Sequence, residues 1–166
     1  MYRPTQDKVR AAIFNHLGPS VSGASVLDLY CGTGSLGLEA LSRDASRVVF
    51  CDRSLSAIRV VKANLAEMQM EPVHYEVVRG EAVTVVSRLS ARGEKFDIVF
   101  VDPPYEADVY NGILTVLGAT SVLRPGAIVV VEHSKRVVLP QVIAGLEFYL
   151  EKVYGDTHIS YYSKRG

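Results

Sequence analysis

Asp102-Pro103-Pro104-Tyr105 follows the apolar run FDIVFV and gathers the side chains best suited to chemistry in this sequence. Two consecutive prolines cannot extend a central strand or donate ladder hydrogen bonds, so the chain stops and turns there. The Asp102 carboxylate and the Pro103 carbonyl are then two acceptors able to aim at one spot, with the Tyr105 ring beside it. An exocyclic amine on a nucleobase offers two N–H donors to such a pair. Holding both hydrogens orients the nitrogen toward an electrophile, and proximity supplies most of the rate. The aromatic ring would hold a base taken out of its own stack. The structural alternative is a stiff turn after a strand.

A second string, DLYCGTGSLG at residues 28–37, completes G-x-G-x-x-G with Gly32, Gly34 and Gly37. That spacing usually marks a dinucleotide site, with a pyrophosphate on a helix N-terminus. Asp28, four residues before Gly32, opposes this reading, because a carboxylate at the mouth of the loop repels a pyrophosphate and favours a cation. S-adenosylmethionine, with its ammonium, sulfonium, ribose and adenine, fits that charge. Asp52, 20 positions after Gly32, serves the ribose hydroxyls of either cofactor. The alternative for Asp28 is a carboxylate that ties the loop to its own backbone amides.

The elements that must position these residues alternate along the chain. Thr5 can cap a helix with Val9, Ile13, Phe14 and Leu17 on one side and Gly18 as its stop. Strands are expected over 24–30, 47–52, 73–78, 96–102 and 127–133. Helices lie between them: one to about Arg43, one capped by Ser54 with Ile58, Val61, Leu65 and Met68 on its inner face, one over about 81–89 and one over about 110–117. Near-continuous apolar strands separated by helices mark a parallel sheet covered on both faces. From Phe148 to Tyr162 two strand-like runs are separated only by Gly155-Asp156, so the last pair is antiparallel. The expected architecture is an α/β doubly wound, Rossmann-like, mostly parallel seven-stranded sheet in a three-layer sandwich, ending in an antiparallel hairpin. One domain, 1–166, is expected, with residues 1–18 a helical segment packing on the core.

Bulk composition narrows the function classes. With 48% hydrophobic residues and 18 basic against 18 acidic side chains, this is an ordinary globular composition, and a protein that coats nucleic acid non-specifically is disfavoured. A local basic patch remains open, with Arg3, Lys8 and Arg10 at one end and Lys164 and Arg165 at the other. No apolar run is long enough to cross a bilayer and the start lacks the core of a signal peptide, so a cytoplasmic monomer without membrane contact is expected. Cys31 and Cys51 read as two small buried hydrophobes. His16, His74, His133 and His158 stand singly, so no metal site is expected.

The sequence resembles the class I S-adenosylmethionine-dependent methyltransferases, and within them the bacterial 16S ribosomal RNA guanine-N2 methyltransferase family. The segments that carry the resemblance are RPTQDKVRAAIFNHL, VLDLYCGTGSLGLEALSR, VVFCDRSLSAIRVVKANL, FDIVFVDPPY and LRPGAIVVVEHS. The resemblance implies a cofactor site of Asp28, Tyr30, Gly32, Thr33, Gly34, Asp52, Arg53, Glu81 and Ala82. The glycine loop and Asp28 would meet the methionine end, Asp52 the ribose, and Glu81 with Ala82 the adenine. It further implies that Asp102, Pro103, Pro104 and Tyr105 hold the target guanine amine, and that the partner is ribosomal RNA or the assembling small subunit. Relatives commonly carry Asp where this chain has Glu81, and a glycine- and basic-rich segment before R-P-T that would belong to the RNA-contacting surface. Alternative readings are a DNA adenine or cytosine amino-methyltransferase, which shares the D-P-P-Y tetrad, and a dinucleotide-binding oxidoreductase.

Overall fold

The computed structural model describes residues 4–104 and 109–166, with side chains from residue 6 onward. Its elements run α1 (Pro4–Leu17), a 3-10 turn (Gly18–Val21), β1 (Ser25–Leu29), α2 (Ser35–Ser42), β2 (Arg47–Asp52), α3 (Leu55–Glu67), β3 (Tyr75–Arg79), α4 (Ala82–Ala91), β4 (Phe96–Val101), α5 (Val109–Ala119), β5 (Leu123–Ser134), β6 (Val142–Ile143), β7 (Leu146–Tyr154) and β8 (Thr157–Lys164). They form a sheet of order β3-β2-β1-β4-β5-β8-β7-β6, parallel from β3 to β5 and antiparallel beyond. The sheet has eight strands rather than seven. The extra one, β6, is two residues long and pairs Val142 with Glu147, too short to leave a periodic signal.

Alternation along the strands divides the core into two halves. Leu27, Leu29, Val99, Val101, Val129 and Val131 face α4 and α5. Val26, Phe50, Ile98, Phe100 and Val130 face α1, α2 and α3. Helices on both faces explain why β1, β2 and β4 are apolar at nearly every position. In α1 the predicted stripe is buried, Val9, Ile13, Phe14 and Leu17 all being 6% exposed or less, and Phe14 packs against Phe100 with ring centroids 5.7 Å apart. Thr5, expected as its cap, lies outside the described side chains.

The Ser54 cap of α3 forms as expected, its Oγ accepting from the Ala57 N–H at 3.3 Å, and Ile58, Val61 and Leu65 are buried. Met68 instead stands exposed at the helix end, since the helix stops before completing another inward turn. The third strand starts two residues late because Pro72 opens a 3-10 turn over Pro72–His74.

Strand order reverses between β1 and β4, so the loops after these two strands splay apart and leave a crevice at the carboxyl edge. The register aligns that edge: Leu29 lies beside both Cys51 and Val101, and Val101 beside Val131. Asp52, Tyr30, Asp102 and Glu132 therefore follow one another along a single rim.

Candidate active site

Gly32 and Gly34 adopt φ of +56° and +82°, a left-handed backbone that other residues reach only with strain. Gly37 serves differently. A Cβ there would lie 2.4 Å from Phe50 Cε2, so its bare backbone is what lets α2 approach β2. The amides of all three glycines already have acceptors: Gly32 N–H donates to Asp52 Oδ2 at 3.0 Å, Gly34 N–H to the Cys31 carbonyl at 2.8 Å, and Gly37 N–H to Asp28 Oδ2 at 3.0 Å. A pyrophosphate needs such amides unpaired. The motif here shapes a turn and offers no phosphate cradle.

Asp28 is correspondingly placed behind the loop, not in the cavity. It is 2% exposed and caps the first turn of α2 through Gly37. Burial is the main reason its acid is pushed up to about 8, with Asp52 adding repulsion and the Gly37 hydrogen bond acting against both. The expected direct contact with the methionine end of the cofactor is thus corrected: the short, tightly packed turn draws this carboxyl inward. The folded state holds the Asp28 proton where the unfolded chain, near 3.8, has released it, so this group makes stability fall as pH rises from about 4 to 8. Asp28→Asn keeps an acceptor for Gly37 and has no proton to lose. Melts of the unliganded variant should show a weaker dependence on pH across that window and a higher midpoint than the parent above pH 8; identical pH profiles would refute the buried acid.

A cavity of about 540 Å³ opens at the crevice, lined by Tyr30, Gly32, Cys51, Asp52, Arg53, Ser54, Ala57, Gly80, Glu81, Ala82, Asp102, Pro103, Pro104 and Val109. That size suits a cofactor-sized ligand. Asp52 stands at its centre. Oδ2 takes the Gly32 amide and Oδ1 the Ser54 amide at 2.9 Å, leaving lone pairs on both oxygens for further donors such as ribose hydroxyls. Arg53 Nη1 reaches Glu81 Oε1 at 3.2 Å across the rim, where both side chains are well exposed. Gly80, Ala82 and Val109 contribute small or apolar groups to the lining. Burial pushes the Tyr30 hydroxyl up to about 12, so it serves as a neutral donor.

Of the predicted site residues, Tyr30, Gly32, Asp52, Arg53, Glu81, Ala82, Asp102, Pro103 and Pro104 meet around this cavity. Thr33 and Gly34 do not line it: the Thr33 carbonyl accepts from Asn64 Nδ2 at 3.2 Å, and Gly34 packs toward Val61 and Phe50. Tyr105 lies outside the described residues. Asp102 is open to the cavity yet recessed among protein atoms, and its acid is raised well above the usual carboxylate range by burial, then by Glu132 and Asp28. Glu132, raised in turn by its own burial, escaped sequence reasoning because it sits unremarkably in the run VVVEHS.

The surroundings suit S-adenosylmethionine: more carboxyl groups (Asp52, Glu81, Asp102) than cations (Arg53) in the lining, lone pairs for ribose hydroxyls, and small apolar side chains for a ring. Asp52, Tyr30 and the Glu81-Ala82 corner would hold it.

Two expectations about other residues are met differently. Cys31 and Cys51 are free and buried, as expected, with the Cys31 amide donating to the Cys51 carbonyl at 3.0 Å. The histidines, single in sequence, are not all apart in space. Antiparallel register sets His133 beside His158, and Glu151 on β7 joins them, with Oε2 3.1 Å from His158 Nδ1 and 3.8 Å from His133 Nε2. His133 is already partnered at both nitrogens, by the Ser134 carbonyl at 2.9 Å and Ser160 Oγ at 2.7 Å, so hydrogen bonds account for the cluster.

The doubly wound sheet, its carboxyl-edge cavity and the acidic groups around it define a class I S-adenosylmethionine-dependent methyltransferase. Residues 1–163 match the family described as conserved hypothetical protein 95, and the chain belongs to that family. It is 37% identical over 164 residues to YlbH of Bacillus subtilis, covering 99% of this chain and 89% of that protein. It is 33% identical over 162 residues to ribosomal RNA small subunit methyltransferase D of Escherichia coli K12, covering 98% of this chain and 79% of that one. A solved 16S rRNA N2 methyltransferase from Thermus thermophilus, in complex with AdoMet and guanosine, superposes with a TM-score of 0.78 at 22% identity, covering 99% of this chain and 44% of that chain, a likeness of fold alone. Among the described residues no helix is long and apolar enough to cross a membrane.

Proposed function

We propose that this protein methylates the exocyclic N2 amine of a guanine in small-subunit (16S) ribosomal RNA. The observation that carries the reading is Asp102 at the cavity wall, followed by Pro103 and Pro104, on the rim that also holds Asp52. The name of the Escherichia coli relative supports ribosomal RNA as the substrate class. An exocyclic amine as target is supported by the chemistry of the site, and guanine by the family resemblance: Asp102 Oδ and the Pro103 carbonyl accept the amine's two hydrogens and point its nitrogen at the cavity. Tyr105 stacks the extruded base.

When bound, S-adenosylmethionine would supply a methyl on a sulfonium, the amine lone pair taking the methyl as the C–S pair returns to sulfur and the nitrogen losing one proton. The protein's share is to bind, orient and take that proton. Asp52 fixes the cofactor through its remaining lone pairs, the small apolar side chains exclude water from the adenine, and Asp102 holds the amine. Exposed Lys135 and Arg136 follow β5 at the same edge, positioned to meet RNA phosphates. The protein acts as a cytoplasmic monomer on free RNA or on the assembling subunit.

Nucleoside mass spectrometry of 16S RNA from cells lacking the gene tests this. Loss of one N2-methylguanosine, restored by the gene in trans, is expected. An unchanged guanosine profile alongside loss of a methyl on another base or in DNA would overturn the reading, the latter in favour of a DNA amino-methyltransferase.

A further inference from the structure

Val101 and Val131 are partners on adjacent parallel strands, and both point into the core half under α4 and α5. Alternation turns Glu132 toward the opposite face, and Asp102, just past the end of β4, lies close enough for the Glu132 charge to act on it. Asp28 points to that opposite face too, beside Phe100, and reaches Gly37 on α2. Adjacent strands lie about 4.8 Å apart, so Asp102 and Glu132 are neighbours on β4 and β5, with Asp28 on the next strand acting on Asp102 as well. Glu132 is held firmly in this company. Its backbone pairs with Ile159 on β8, and its carbonyl accepts from the Tyr110 hydroxyl at 3.1 Å. Its carboxyl does not line the cavity, so it reaches a substrate only through Asp102.

We propose that Glu132 is a positioning residue for methyl transfer, the proton partner that makes Asp102 a stronger base toward the target amine and then carries the amine's proton away. Two neighbouring carboxyls cannot both ionise cheaply, so the last proton of the pair is held more tightly than by either carboxyl alone, and the ionised pair is the stronger base. The raised acids of both residues agree with this. The amine docks against the ionised pair, with Asp102 accepting an N–H. As the N–C bond forms, that proton moves to Asp102, is shared with Glu132, and leaves to water, which restores the ionised pair. One proton leaves per methyl transferred and no other reactant is needed. Asp28 on β1 also acts on Asp102, Tyr30, Cys51, Asp52, Arg53 and Glu81 line the same cavity, and the Tyr110 hydroxyl on α5 donates to the Glu132 carbonyl; Asp28→Asn serves as the control for repulsion from β1.

The inference rests on an exocyclic amine as target, and two measurements separate its failure from failure of that reading. In protein alone, with its Asp and Glu carboxyl carbons labelled with carbon-13, NMR titration should show Asp102 releasing its proton at lower pH in Glu132→Gln than in the parent; an unmoved Asp102 titration overturns the pairing whatever the substrate is. With 16S RNA that the parent demonstrably methylates, Glu132→Gln should move the rising limb of kcat/KM to lower pH and reduce plateau kcat about tenfold, cofactor affinity staying within twofold, while Glu132→Asp recovers most of both. A limb that stays in place, or a plateau that does not fall, overturns the role in proton transfer. A variant whose melting midpoint matches the parent's excludes misfolding as the cause.

Discussion

Asp102→Ala is expected to reduce methyl transfer by at least about a thousandfold while leaving S-adenosylmethionine affinity within a few fold. Two contributions go together: an acceptor that holds the amine in place and a base that takes its proton, the second alone accounting for roughly 10²–10⁴ in rate. Affinity should be spared because the proposed cofactor contacts, Asp52 and the corner at Glu81 and Ala82, are contributed by β2 and the start of α4, not by the segment after β4. Asp102→Asn should fall between the two, since its amide still offers one acceptor but no base. Single-turnover transfer of labelled methyl to 16S RNA, with calorimetry of cofactor binding beside it, measures both quantities. Near-normal turnover in the alanine variant would remove Asp102 from the mechanism.

Asp52→Ala is expected to weaken S-adenosylmethionine binding about a hundredfold. In the proposed role the carboxylate would supply acceptors for the ribose, and hydrogen bonds to a charged group are each worth about 1.5–3 kcal/mol, so losing even one such bond with its geometry approaches that figure. It also receives the Gly32 and Ser54 amides, which ties the glycine loop to the start of α3. Removing it leaves those donors without their partner and lowers the melting midpoint of the unliganded protein as well. Asp52→Asn does not rescue fully: its amide nitrogen would face one of the two backbone N–H donors. Calorimetric affinity unchanged in the alanine variant would show that the ribose lies elsewhere.

Much of this arrangement is legible without a structure because it is written in local patterns. Apolar runs such as FDIVFV and VVFCD alternating with amphipathic segments leave few options besides a parallel sheet clothed in helices. Asp52 and Asp102 end such runs, and residues that end parallel strands gather at one edge whatever their distance along the chain. Proline-proline after Asp102 signals the turn for a reason that depends on two residues alone.

Other features depend on distances between segments that no local pattern encodes. Asp28 looked like a cavity carboxylate from its spacing to Gly32, but the direction of its side chain follows from how closely α2 packs on β2, which Gly37 and Phe50 set between them. The pairing of His133 with His158 and Glu151 arises from antiparallel register. Glu132 became visible only once Val131 was found beside Val101. By itself, then, the sequence determined the layered fold, the strand ends that form the site, and the residue types offered to an amine and an adenosine cofactor, since these rest on periodicity and on single-residue stereochemistry. Tertiary structure alone decided which carboxyl faces the cavity, which is buried behind the loop and which stands behind Asp102, because strand register and helix packing set distances, and distance sets the charge each acid can carry.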